Sequence, residues 1–197
     1  MTPGNCDKTS LRQQLLAARA LLTIQDVESA AAVLAGHAVA LPELARAHTV
    51  AAYVSVGREP GTRPLLDALR DRGVRVLLPV LLPDNDLDWG AYEGADSLVP
   101  AGRGLLEPGG ARLGVRAVLE ADAVLLPGLA VDGRGMRLGR GGGSYDRVLA
   151  RLARAGEHPA LVVLLYGDEV VARVPEEPHD HPVQAVVTPE GARRLSA

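Results

Sequence analysis

Between Asp132 and Tyr145 the chain carries Gly133, Gly135, Gly139, Gly141, Gly142 and Gly143, interleaved with Arg134, Arg137 and Arg140. Glycine lets backbone N–H groups approach an oxyanion with no Cβ in the way. Arginine adds balancing charge and a fork that matches phosphate at two points. The run Gly139 to Gly143 stands directly ahead of a helical pattern, and a helix start offers unpaired N–H donors and a partial positive charge. Together these point to phosphate binding, the plain alternative being a sharply turning surface hairpin. No Lys-Ser or Lys-Thr pair follows the glycines, so this is not a P-loop of the usual kind. Nor is it G-x-G-x-x-G, because Ser144 stands where the third glycine belongs.

Asp146 falls in the first turn of that helix, where a carboxylate suits the helix dipole. With phosphates at the same end it would repel them unless a Mg²⁺ lay between, since hard cations take carboxylate and phosphate oxygens together. Asp146 is therefore a metal-ligand candidate conditional on the phosphate site. Asp180, in Pro178-His179-Asp180-His181-Pro182, is a second; its two histidines hint weakly at zinc, without a third and fourth ligand. On the first helical pattern Lys8, Arg12 and Arg19 lie within about 40° of one another. They border the apolar stripe of Leu11 and Leu15 and would overlook a phosphate site or form a solvated face. Lys8 is the one lysine against twenty arginines, and a compact ammonium serves phosphate differently from a guanidinium. Glu59, in the turn Gly57 to Thr62, would hold a ligand amine or pair with Arg58 or Arg63.

Elements must position these groups. Lys8 to Leu22 and Asp26 to Leu41 read as helices, the second closed by Pro42. Thr49 to Val56 reads as a strand ended by Gly57, and Thr62 with Pro64 opens a helix running to Arg72, with Gly73 as its cap. Val74 to Leu78 is a strand stopped by Pro79. Leu81 to Arg116 is rich in turn residues, with a short strand at Leu87 to Ala91. Further strands fall at Ala123 to Leu126, Ala160 to Leu165 and Val183 to Val187, and a helix at Tyr145 to Ala155, with Val148, Leu149 and Leu152 inward and Gly156 at its end. Continuous apolar strands alternating with helices imply a three-layer αβα sandwich with a mostly parallel sheet, Rossmann-like in the broad sense. Residues 1–197 read as one α/β domain, with N-terminal helices (about 8–41) packed on the sheet. In such a sheet, ligands bind beyond the carboxyl ends of the strands, where the glycine loop lies.

Composition sets the outer bounds. The chain has 197 residues, 47% hydrophobic and 23% charged, enough apolar material for a sizeable core. A net charge of -3 argues against a nucleic-acid partner. No apolar run approaches the roughly 18 residues that span a bilayer. One cysteine, Cys6, makes no internal disulfide, which fits a cytoplasmic location. Aromatics are only 3%, so a flat ligand ring has few stacking partners, and Trp89 is the candidate.

From Leu126-Pro-Gly-Leu-Ala-Val-Asp132 through Arg137-Leu-Gly-Arg-Gly-Gly-Gly-Ser-Tyr-Asp-Arg147 the chain resembles the 5-formyltetrahydrofolate cyclo-ligase family (methenyltetrahydrofolate synthetase). The likeness takes in Lys8-x-x-x-Arg12, Glu59-x-x-Thr62, Glu107-Pro108, Glu177-x-His179-Asp180 and Thr188-Pro189-Glu190. It implies ATP- and Mg²⁺-dependent closure of 5-formyltetrahydrofolate to 5,10-methenyltetrahydrofolate with release of ADP and phosphate, by phosphorylation of the formyl oxygen. By the same resemblance Lys8 and Arg12 contact ATP phosphates, and Arg137, Leu138, Gly139, Arg140, Gly141, Gly142, Gly143, Ser144 and Tyr145 wrap the nucleotide. Arg140 to Ser144 also face the folate, Arg140 and Tyr145 are the catalytic candidates, Val56 and Glu59 line the folate pocket, and Asp146 and Asp180 hold Mg²⁺. Many members carry Tyr at Ser144, some carry Tyr at Arg140, Phe is common at Val131, and an acidic residue is common at Gly61. The expected partner is a small folate, with no nucleic acid and no membrane, the protein acting as a monomer. A non-catalytic nucleotide or phosphometabolite sensor is the alternative, and a sugar-phosphate isomerase-like enzyme, which would need a positioned general base, a third reading.

Overall fold

The computed structural model describes residues 7–177 and 180–195; Cys6, Pro178 and His179 lie outside the described residues. Asp7 caps the first helix, α1 (Lys8–Ala20), accepting the Ser10 N–H at 2.7 Å. A reciprocal Thr23–Asp26 capping box opens α2 (Ile24–Ala40), and Pro42 starts the short α3 (Pro42–Ala45). After β1 (Thr49–Ala51) comes α4 (Arg63–Asp71). Thr62 precedes α4 without capping it by its side chain; its hydroxyl accepts the Ser55 N–H while its own N–H donates to Ser55 Oγ, bracing the loop.

The chain continues through β2 (Arg75–Leu81), β3 (Leu87–Ala91), the hairpin β4 (Leu98–Pro100) and β5 (Leu106–Pro108), and β6 (Ala123–Leu126). A second small hairpin, β7 (Ala130–Val131) and β8 (Arg137–Leu138), precedes α5 (Ser144–Ala155). The last strands are β9 (Ala160–Leu164), β10 (Ala185–Thr188) and β11 (Gly191–Arg194).

Seven strands form one sheet in the order β11-β10-β9-β6-β1-β2-β3. The inner pairings are parallel, and only the outermost, β10 with β11 and β2 with β3, are antiparallel. One face packs Leu34 of α2 and Leu65, Leu66 and Leu69 of α4 on Val50, Leu78, Leu125 and Leu164. The other packs Val148, Leu149 and Leu152 of α5 on Val124, Leu126 and Val163. These are the three expected layers. Among the described residues no helix is long and apolar enough to cross a membrane.

Three elements depart from expectation. Pro79 does not stop β2. Val76 and Leu82 exchange hydrogen bonds with the β3 side, so odd-numbered positions face the β1 side, where β1 has already ended. The N–H that proline lacks is not needed there. The apolar run from Thr49 leaves the sheet after Ala51 and turns into a loop whose residues stay buried. Finally, α1 does not join the layer on the sheet: Leu11 and Leu15 pack against Leu129, Ala130, Leu138 and Val174, so α1 covers the β7–β8 hairpin.

Candidate active site

A cavity of about 540 Å³ opens at the carboxyl ends of β1, β2 and β6, where a parallel sheet presents its loops. Its walls come from the loop after β1, the Pro127-Gly128 turn after β6, the glycine loop, the first turn of α5, and the start of α1. Every site residue expected from the sequence borders it except Trp89. That ring is fully buried in the core between the sheet and the α5 layer. A ring sealed on both faces offers no surface to a ligand, so the stacking role is withdrawn; scarcity of aromatics carries no information about exposure.

The β7–β8 hairpin delivers Arg137. Its turn is built on Asp132, fully buried, whose carboxylate accepts the N–H groups of Arg134, Met136 and Val174 at 2.9, 3.2 and 3.0 Å and the Arg134 guanidinium at 2.8 Å. Burial opposes this charge, but those donors outweigh it and hold the carboxyl below its ordinary range. A depressed folded value means that the stabilisation is complete above the unfolded value, near pH 4, and fades as pH falls through the folded value. Asp132→Asn should therefore cost about 2 kcal/mol at pH 7. The deficit should shrink towards pH 3 in urea titrations run at both pH values; a deficit independent of pH would contradict the assignment.

The Arg137 side chain is itself nearly buried. Its Nη1 donates to Pro127 O at 3.0 Å and its Nη2 lies 3.5 Å from Asp146 Oδ1, while its Nε has no partner among the described residues. Burial pushes the guanidinium below its usual range, with Asp146 opposing. A Cβ at Gly139 would stand 2.8 Å from Arg137 Nη1, so glycine leaves room for this side chain. Arg12 Nε donates to Gly139 O at 2.8 Å, tying α1 to the same loop.

Gly143, at φ 75°, caps α5 without any side-chain bond, so the first-turn amides of the helix are left to a ligand. Across the cavity Arg140 Nε lies 3.2 Å from Glu59 Oε1, and Glu59 Oε2 accepts the Val56 N–H at 2.8 Å. Glu59 thus pairs with Arg140 rather than with Arg58 or Arg63. Lys8 Nζ donates to Glu177 Oε2 and Asp180 Oδ2, both at 2.8 Å, and Asp180 Oδ2 also accepts the Glu177 N–H. Burial opposes the Lys8 charge, but the two carboxylates win and raise its pKa.

Arg19, grouped with Lys8 and Arg12 on the helix surface, is instead buried against Glu169. Among the wall residues not expected from the sequence is Tyr53. Tyr53, together with Tyr145, borders the cavity, and burial, with Glu59 adding to it, raises both phenols well above their ordinary range. Tyr53 was hidden inside an apolar run, although its place just past the end of a buried strand was the available signal. Glu107 accepts the Leu81 N–H at 2.9 Å on the far wall, beside Leu105 and Leu106.

The sequence profile of the 5-formyltetrahydrofolate cyclo-ligase family matches residues 5–189. The chain belongs to that family. The 5-formyltetrahydrofolate cyclo-ligase of Mycolicibacterium smegmatis is 44% identical over 147 residues, 72% of this chain and 74% of that protein. The Escherichia coli K12 protein of the same name is 38% identical over 153 residues, covering 75% and 81%. Among solved structures, 5,10-methenyltetrahydrofolate synthetase from Aquifex aeolicus superposes with a TM-score of 0.80 at 27% identity, covering 96% of this chain and 93% of that one. Gly61 is buried against α2. A Cβ there would sit 2.6 Å from Ala31 Cβ, so this chain has no space for a carboxylate at that position.

Proposed function

We infer that the cavity performs the cyclo-ligase reaction: 5-formyltetrahydrofolate and ATP enter, and 5,10-methenyltetrahydrofolate, ADP and phosphate leave. The observation that carries the reading is the buried Arg137 guanidinium, with an unpartnered Nε, beside an α5 start that no side chain caps. Both suit an anion, and Arg137 and the first turn of α5 border one cavity.

The N5-formyl group is an amide, a poor electrophile whose oxygen is a poor leaving group. In the first step that oxygen bonds to the γ-phosphorus and the bond to the ADP oxygen breaks. In the second, N10 attacks the formyl carbon, loses its proton, and the phosphorylated oxygen departs as phosphate. Such transfers need positioning and charge neutralisation more than covalent help. Arg137, Arg12 and the α5 amides supply charge and donors around the phosphates. Tyr145, kept protonated by burial, donates a hydrogen bond rather than accepting a proton. Arg140 and Glu59 join the glycine loop to the folate wall.

Asp146, half-exposed, and Asp180 both border the cavity. Among the described residues no group of three His, Cys, Asp or Glu gathers. Magnesium in phosphate sites is commonly held by one or two carboxylates plus phosphate oxygens and water, so this donor set fits it. When bound, the ion would neutralise phosphate charge. We propose that the protein works as a monomer in the cytosol.

Mixing the protein with 5-formyltetrahydrofolate, ATP and Mg²⁺ should raise the near-ultraviolet absorbance of the methenyl product. Nucleotide binding with no absorbance change would favour the sensor instead. Asp146→Asn should lower Mg²⁺-dependent turnover on the order of 10- to 100-fold, with the melting temperature falling by no more than a few degrees, because the carboxylate is half-exposed and its contact with Arg137 is long at 3.5 Å. A parallel loss of folding would remove the metal assignment.

A further inference from the structure

Among the described residues only two that are not glycine adopt positive φ, Asn85 at 64° and Arg103 at 61°. Both border the cavity. They come from different turns, β2 to β3 and β4 to β5, and Arg103 Nη1 donates to Asn85 Oδ1 at 3.2 Å. Asparagine adopts left-handed backbone readily in turns, but arginine does not, and such strain concentrates at functional sites. The chain places glycine on both sides of Arg103, yet an arginine at the left-handed position itself.

The nearby cations are already paired, Arg147 with Asp84 and Arg151 with Asp86. Arg103 has no carboxylate partner among the described residues. Because the Asn85 amide oxygen is taken by Arg103, its amide nitrogen is left as a donor beside the remaining guanidinium N–H groups. This corner therefore offers donors and positive charge at the rim of a wall of Leu81, Leu105 and Leu106, whose one carboxylate, Glu107, is held by the Leu81 N–H. A ligand matching it has an apolar body ending in a carboxylate.

We propose that Arg103 and Asn85 form a carboxylate-recognising subsite that receives the glutamate end of the folate substrate. This rests on the cavity being a folate site, and it assigns these two residues to specificity rather than to the chemical step. Arg103 is exposed, so the effect is that of a solvent-screened but two-point contact.

Arg103→Gln should raise the KM for 5-formyltetrahydrofolate about two- to fivefold, with kcat and the KM for ATP unchanged. Asn85→Gly, which keeps the backbone conformation accessible, should do the same more weakly. With both glutamate carboxylates of the substrate methylated, wild type and variants should become equivalent. Calorimetric titration of the free acid and of the diester without ATP reads the same difference independently of turnover. An unchanged KM and affinity for the free acid, or equal losses for acid and diester, would overturn the proposal. A wild type that discriminates acid from diester through Arg103 in the titration, yet forms no methenyl product, would instead sink the cyclo-ligase reading and leave the subsite standing.

Discussion

Arg137→Met should leave a folded protein whose kcat/KM for ATP falls on the order of 10²- to 10³-fold, the scale of losing one preorganised donor to a developing oxyanion. The guanidinium sits at the start of a two-residue strand, held by Pro127 O and facing Asp146, with its side chain only 9% exposed and Nε unbonded. A charge in that state has already lost most of its hydration, so an arriving phosphate meets it at little further cost. Removing it should not damage the fold. The Pro127 carbonyl loses one donor, worth about 1 kcal/mol, while a buried cation that burial disfavours disappears. Asp146 is half-exposed and water can replace its partner. Rate and stability should thus separate: steady-state kinetics collapse, and the melting temperature stays within a few degrees. Activity within threefold of wild type would place the phosphates elsewhere in the cavity.

The parts of this site that were legible in the sequence share a cause. Where backbone chemistry dictates residue type, the string records it. The glycines from Gly139 to Gly143 mark a loop that must leave room for Arg137 and enter α5 through a left-handed residue. The strands Leu87–Ala91 and Ala123–Leu126 stand at the expected bounds, because apolar runs cut by turn residues leave few alternatives. What was not legible depends on partners far away along the chain. Arg19 and Lys8 share a helix stripe, but one meets Glu169 and the other Glu177 and Asp180, and nothing local distinguishes them. Trp89 in an alternating strand reads the same whether its face meets a ligand or a helix layer. Asn85 and Arg103 lie in a turn-rich stretch whose short strands pair across sequence, so their meeting at the cavity mouth emerges only from the assembled hairpins.

The stability of the whole arrangement leans on the pair that the helix pattern hid. Arg19 Nε and Nη2 reach the two Glu169 oxygens at 2.6 and 2.8 Å, and Nη2 also donates to Gly128 O at 2.7 Å. The Arg19 guanidinium lies over the Tyr166 ring, 5.7 Å from its centroid, and Glu169 Oε2 accepts the Tyr166 N–H. Both side chains are almost wholly buried, at 4% and 3% exposure. The pair joins α1, which carries Lys8 and Arg12, to the cavity floor at Gly128. Glu169→Gln keeps the shape but strands a buried cation, which typically costs about 3–5 kcal/mol. For a chain of this length that is a fall of roughly 6–20 °C in melting temperature. Arg19→Met should cost a similar amount by stranding the carboxylate. The double variant Arg19→Met with Glu169→Met should lose less than either single change, because an apolar pair of similar volume leaves no unpaired charge. Urea titration of all three proteins at pH 7 measures the coupling, and additive losses would mean that the two side chains act independently of each other.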